Sequence, residues 1–231
     1  REWPLFLKAQ QYDSGYAMCR YYLGRIAWAK ADYLHSKSYL VKAKELDALR
    51  FRAPIAVNDI IRREAASFPN THLVNVLDNF ESHSPHGIIG SETILEHLHP
   101  NLYGYALLSD AFFKSMQAGK IISDHWDNPM SFDTLLTQMP VTRVDSLHGV
   151  YEIMMLKEGW PFNEPMPSEQ KAPKNIDEQL AGAFSVHQIN WSTAMNSLLN
   201  YYLKEKDFEQ ALTVSKAFQL EYPYEPRFYP Q

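Results

Sequence analysis

The chain has 231 residues, 22 Lys plus Arg against 27 Asp plus Glu, and a formal net charge of −5. With 45% hydrophobic and 21% charged residues its composition is globular, which excludes a disordered, collagen-like or disulfide-built chain and allows one large domain or two small ones. A negative chain without a Lys/Arg cluster argues against nucleic acid as a partner, no apolar run reaches the roughly 20 residues of a membrane span, and one cysteine, Cys19, cannot close an internal disulfide.

The sequence opens on Arg1 with no apolar signal segment behind it, so it is expected to be a processed chain or a piece of a longer one. It is expected to be soluble as given, and its compartment stays open. The first fifty residues read as helices. Over Tyr16 to Ala31, Met18, Tyr22, Ile26 and Ala29 recur at steps of three or four; over Tyr33 to Ala48, Leu40, Ala43 and Leu46 do the same. Asp32 is the expected N-cap of the second helix, and the two helices form an antiparallel hairpin. Gly24 inside the first helix costs about 1 kcal/mol relative to Ala, so a close helix contact over it is expected.

Beyond Pro54 the pattern changes. Ile55 to Phe68 is amphipathic, Pro69-Asn70 breaks it, and His72 to Leu77 (HLVNVL) reads as a short buried strand ending at Asp78. Helix, turn and strand suggest one half of an α/β unit. Phe80 to Pro100 has little period, and unstructured stretches of about 20 residues are often functional. A helix from Pro100 or Asn101 to about Met116 follows, with Leu102, Tyr105, Leu108, Ala111 and Phe112 on its expected apolar side. Residues 119–180 are punctuated by prolines, among them Pro129 and Pro167, with one helix from about Asp145 to Gly159 and an extended connection from Asn163 to Lys174. From Ile176 the helical period returns, with Asn175 and Glu178 resembling a capping box. Trp191 to Tyr222 gives two more helices, broken at Lys206-Asp207, and the tail with Tyr222, Tyr224 and Tyr229 is expected to dock in extended form.

The last helix pair resembles a tetratricopeptide repeat through Leu198, Tyr202, Asp207-Phe208, Ala211, Ala217 and Pro223. Leu23-Gly24, Ala27, Asp32-Tyr33, Leu40 and Ala43 look like a more degenerate copy. In such hairpins small residues let the helices approach, and a lone hairpin cannot bury its face.

A second resemblance carries chemistry. Glu96-His97-Leu98-His99-Pro100-Asn101, then Gly104-Tyr105 and an apolar helix, resembles the C-terminal block of the SGNH (GDSL-type) hydrolases, whose Asp-x-x-His-Pro loop supplies two members of a catalytic triad. With Leu46 to Pro54 (LDALRFRAP), the turn from His86 to Gly90 (HGIIG) and Trp160 to Phe162 (WPF), the chain resembles bacterial proteins that combine an SGNH-like domain with tetratricopeptide repeats.

The resemblance implies His99 as general base and Glu96 in the place of the orienting acid, with Glu where the family has Asp. A serine esterase needs such a pair, because an imidazole must take the nucleophile's proton and a carboxylate must hold that imidazole in the right tautomer. The family's Gly-Asp-Ser nucleophile block and its oxyanion Gly and Asn are not recognisable; Asp13-Ser14-Gly15 is the nearest string, without a preceding strand. The chain alone is therefore expected to be inactive, its first partner being a missing N-terminal half of the same protein.

The expected fold is mostly α with a small α/β element. It comprises a tetratricopeptide-like hairpin (1–51), the C-terminal part of an SGNH-like domain (52–118), a Pro-rich connection with one helix (119–180), and a second hairpin with a tail (181–231). The competing reading is a non-catalytic scaffold that binds a protein partner through its hairpins. No cofactor or metal is expected. His83 and His86, and His97 and His99, have ligand-like spacing but neither a Cys cluster nor an HExxH pattern. Asp124, His125 and Asp127 read as surface loop, and the 14 Tyr and 12 Phe as hairpin packing.

Overall fold

A computed structural model describes residues 3–126, 130–166 and 172–228. Arg1, Asp127, Pro129, Pro167 and Tyr229, all named above, lie outside the described residues. The described residues form eleven α-helices and no strand, in two compact units divided between Leu136 and Thr137.

The first unit opens with α1 (Trp3–Tyr12), α2 (Ala17–Ala29) and α3 (Tyr33–Leu46). The α2–α3 hairpin forms where the periodicity predicts, but α2 buries Cys19, Leu23, Gly24 and Ala27, and Met18, Tyr22 and Ala29 of the expected apolar set are exposed. Ala31 takes a left-handed φ of 60° in the turn, and the Asp32 side chain caps α3 by accepting from His35 N at 3.3 Å. Gly24 sits under Leu40: a Cβ there would lie 2.7 Å from Leu40 Cγ. The same contact is sealed by Ser36, fully buried, whose hydroxyl donates to Gly24 O at 2.9 Å. Leu23, Ala27 and Cys19 fill the interior, with the Cys19 thiol 3.2 Å from Phe6 O. α1, which the sequence period does not single out, is held from outside itself: Phe6 stacks on Tyr22 at 5.1 Å, and Trp3 meets Tyr39 edge-on at 6.0 Å.

Next come α4 (Ile55–Ser67), α5 (Val76–Ser82) and α6 (Leu102–Ala118). α4 has the expected amphipathic pattern yet buries no residue; Ile60 and Ile61 are 46% and 49% exposed. The strand expected over 72–77 does not form. Residues 72–75 are irregular, and Asn75 instead caps α5, its side chain accepting from Asp78 N. A strand needs a neighbour for its backbone groups, and among the described residues there is none, so the helix, which bonds within itself, takes Val76 and Leu77. The α/β element of the expected fold is thus not seen, whereas its helical part is.

α5 is tied to α6 by Asn79 Nδ2, which donates to Leu107 O at 3.0 Å, and Phe80 is buried there. α6 begins where expected, capped by Asn101, whose side chain accepts from Gly104 N at 2.9 Å. Its buried face differs from the expected one. Gly104, Ala106, Leu107 and Asp110 are inside, while Leu102, Tyr105 and Phe112 are about half exposed, because the loop before α6 and α5 both press on the Gly104–Leu107 side.

After the short α7 (Phe132–Gln138), the second unit contains α8 (Arg143–Glu158), α9 (Ile176–Ser185), α10 (Trp191–Glu205) and α11 (Phe208–Glu221). Thr142 and Asp145 close a reciprocal capping box at the start of α8. The box expected at Asn175 is half right: Asn175 accepts from Glu178 N, but the Glu178 carboxylate turns to Lys174 N at 2.9 Å. α10 stops at Lys206, left-handed at φ 60°, and Asp207 caps α11. The core gathers Val144, Ala181, Met195, Leu198, Val214 and Phe218. Two bonds at its edge lock it: Trp191 Nε1 donates to Asp145 Oδ1 at 2.8 Å, and Tyr202 Oη to Asp177 Oδ1 at 2.9 Å. Among the described residues the tail docks through Phe228, stacked on Phe218 at 4.7 Å, in a 3₁₀ turn over Pro226–Phe228; Tyr222 stacks beside them on Phe218 and Phe228, whereas Tyr224 is 95% exposed.

Candidate functional site

The segment joining α5 to α6 closes on itself. Residues Pro85–Gly87 make a 3₁₀ turn with His86 and Gly87 both at positive φ. Thr93, fully buried, accepts at its carbonyl from Asn101 N at 3.0 Å, and Leu95 N donates to His99 O at 2.8 Å, around a single antiparallel bridge between Ile94 and Pro100. Asn101 Nδ2 adds a bond to Ser91 O at 3.0 Å. Gly104 is needed for this packing, since a Cβ there would overlap the Thr93 carbonyl and come within 2.9 Å of Pro100 Cβ.

Glu96 points into this small loop, its side chain only 1% exposed. Its carboxylate accepts from Leu98 N and, at 3.2 Å, from His99 N. The His99 imidazole completes the set through Nδ1, bonded to Glu96 Oε1. Burial pushes the Glu96 carboxyl up, but the bonds from Leu98 N, the His99 ring and His99 N outweigh it and hold the group below the usual carboxylate value. An ionised carboxylate has no proton to give, so His99 Nδ1 carries the hydrogen, and Nε2 is left as the basic nitrogen of a ring whose side chain is 52% exposed. The two residues singled out by the sequence are therefore brought together as a carboxylate–imidazole pair.

His97 is a feature that sequence reasoning misses. Its Nδ1 lies 3.2 Å from Glu96 Oε2, and its ring meets Phe51 edge-on at 4.6 Å. The spacing of His97 and His99 could suggest two imidazoles on one carboxylate, but only loop closure brings both rings up to Glu96. The other candidates are dispersed. His83 donates from Nδ1 to Asn79 O at 2.8 Å, while His86 stacks on Tyr33, so the pair does not converge. Asp13-Ser14-Gly15 is an exposed turn between α1 and α2, with Asp13 Oδ1 accepting from Gly15 N. Asp124 has a side chain 77% exposed, as surface loop requires.

Among the described residues no group of three His, Cys, Asp or Glu is arranged to hold a metal, and no helix is long and apolar enough to cross a membrane. Compared with family models, curated proteins and solved structures, the chain matches none.

Proposed function

We propose that the 90–101 loop supplies the base and the acid of a serine-esterase triad of SGNH type. His99 Nε2 takes the proton of a serine hydroxyl as its oxygen attacks an ester carbonyl, and then returns that proton to the departing alcohol. Glu96 fixes the His99 tautomer and stabilises the imidazolium formed between the two steps. The observation that carries this reading is the buried Glu96 carboxylate bonded to Nδ1 of a half-exposed His99. The longer Glu in the acid's place is accommodated because the loop folds back over it and supplies two backbone donors.

The serine and the oxyanion donors are not supplied by these 231 residues in that family's pattern, and a central sheet is required as well. Helix α4 supports that requirement: it is amphipathic without burying a residue, as a helix awaiting a sheet would be. A second reading, a tetratricopeptide-type scaffold, is favoured by apolar side chains displayed on the α10–α11 hairpin, including Phe208 at 65% and Leu220 at 70% exposure.

The test is hydrolysis of p-nitrophenyl acetate by the longest natural chain that contains this sequence. His99→Ala is expected to lower kcat by about 10³-fold or more, and Glu96→Gln by about 10²- to 10⁴-fold. Equal rates in wild type and His99→Ala would overturn the esterase reading and leave the hairpins as a scaffold.

A further inference from the structure

The α2–α3 hairpin and the start of α4 enclose an open groove of about 590 Å³. That volume is in the range of small-molecule sites. The groove is cationic in a chain of net charge −5: Arg20, Lys37 and Lys42 line it. Its one acid, Glu45, is already committed, 2.8 Å from Lys44 Nζ and accepting from Ile55 N at 3.1 Å. Lys37 is paired with Glu81 at 2.7 Å. Arg20 is different. Its guanidinium makes one long bond, from Nη2 to Ser14 O at 3.5 Å, and its Nε is buried without an acceptor. A buried donor left unmade is costly, and guanidinium forks match carboxylates and phosphates. Lys42, exposed, has no ion pair among the described residues. Val41 and Ile55 add aliphatic wall to the same groove.

We propose that this groove binds a small amphipathic anion, its carboxylate or phosphate head between Arg20 and Lys42 and its apolar part against Val41 and Ile55. The site is separate from the Glu96–His99 pair and stands whether or not the esterase reading does.

Octanoate and octyl phosphate, titrated into the ¹⁵N-labelled chain and followed by calorimetry and by the Arg20 Nε–H signal, test it and distinguish the two heads. Saturable one-to-one binding of either anion, with the Arg20 signal moving, is expected. Inorganic phosphate and 1-octanol, each carrying half the chemistry, are expected to bind about tenfold more weakly or worse, and Arg20→Gln and Lys42→Gln each to weaken binding about tenfold. Lys216→Gln on α11 is expected to change nothing. Since Lys42 is exposed, its variant reads the head-group contact even if Arg20→Gln fails to fold. Absence of saturation by about 5 mM, octanol binding as tightly as the anions, or an unaltered affinity in Lys42→Gln would each overturn the proposal.

Discussion

At Glu96 a single carboxylate organises the turn that runs from it to His99. Its oxygens meet two backbone N–H groups and two imidazoles, and its ionised form is favoured in the folded chain. The consequence for stability has a definite sign. Because folding lowers this carboxyl below its ordinary value of 4.5, the stabilisation is complete above that pH and is lost as the pH falls through the lowered folded value. Glu96→Gln, which keeps the shape and removes the charge, is expected to reduce the thermal midpoint by a few degrees at pH 7, in line with about 1.5–3 kcal/mol for bonds to a charged group. The gap between the two proteins should narrow as melts are taken from pH 7 down to pH 3. A gap that stayed constant from pH 7 to pH 3 would show that the charge contributes nothing. The Glu96–His99 pair is legible in the sequence because both partners lie within one short loop. The approach of His97 is not, since it depends on the closure that Thr93 and Ile94, outside the motif, make with Asn101 and Pro100 at its end.

At the scale of the element, the α2–α3 hairpin is set by one close approach. Gly24→Ala would gain about 1 kcal/mol in helix propensity, but its methyl would meet the Leu40 side chain at 2.7 Å and Leu40 N at 3.3 Å. Overpacking of this kind costs about 1–3 kcal/mol, so the clash wins and the variant should melt lower. Leu40→Ala removes the obstructing atoms and leaves a cavity of its own. The double variant is therefore expected to lose less than the sum of the two singles in a denaturant cycle, with a coupling of about 0.5 kcal/mol or more; strict additivity would mean that the two residues do not meet. Gly24 also illustrates what local sequence conveys. The helix boundaries at Asp32, Asn101 and Asn175 are legible because an N-cap bonds a backbone N–H three residues on, within its own segment. The run from His72 to Leu77 misleads because a strand is not a local object: β-branched residues favour one, but without a neighbouring strand its backbone groups have no partner. α1 is hidden for the converse reason, its anchors Tyr22 and Tyr39 lying on other helices.

Across the whole molecule, apolar burial is uneven. The first unit leaves α4 without a buried residue and much of the apolar side of α6 exposed, whereas the second gathers a continuous core from four helices. A domain folds alone when its own core outweighs the entropy of ordering it, and the second unit draws one core from all four of its long helices. Its interior polar groups are also matched within the unit: Trp191 with Asp145, Tyr202 with Asp177, and the His148 ring with Ser185 Oγ at 2.8 Å. Residues 137–231 expressed alone are therefore expected to give a helical far-UV spectrum and one cooperative melt. Phe218 is the side chain on which that core most depends. It is 1% exposed and touches the rings of Trp191, Tyr222 and Phe228, so it joins α10, the end of α11 and the tail. Phe218→Ala should cost about 3–5 kcal/mol, a large fraction of the stability of a segment of this size, so its melt should fall steeply relative to the unsubstituted segment. A segment that melts without cooperativity before any substitution would show instead that this core requires the first unit to hold it.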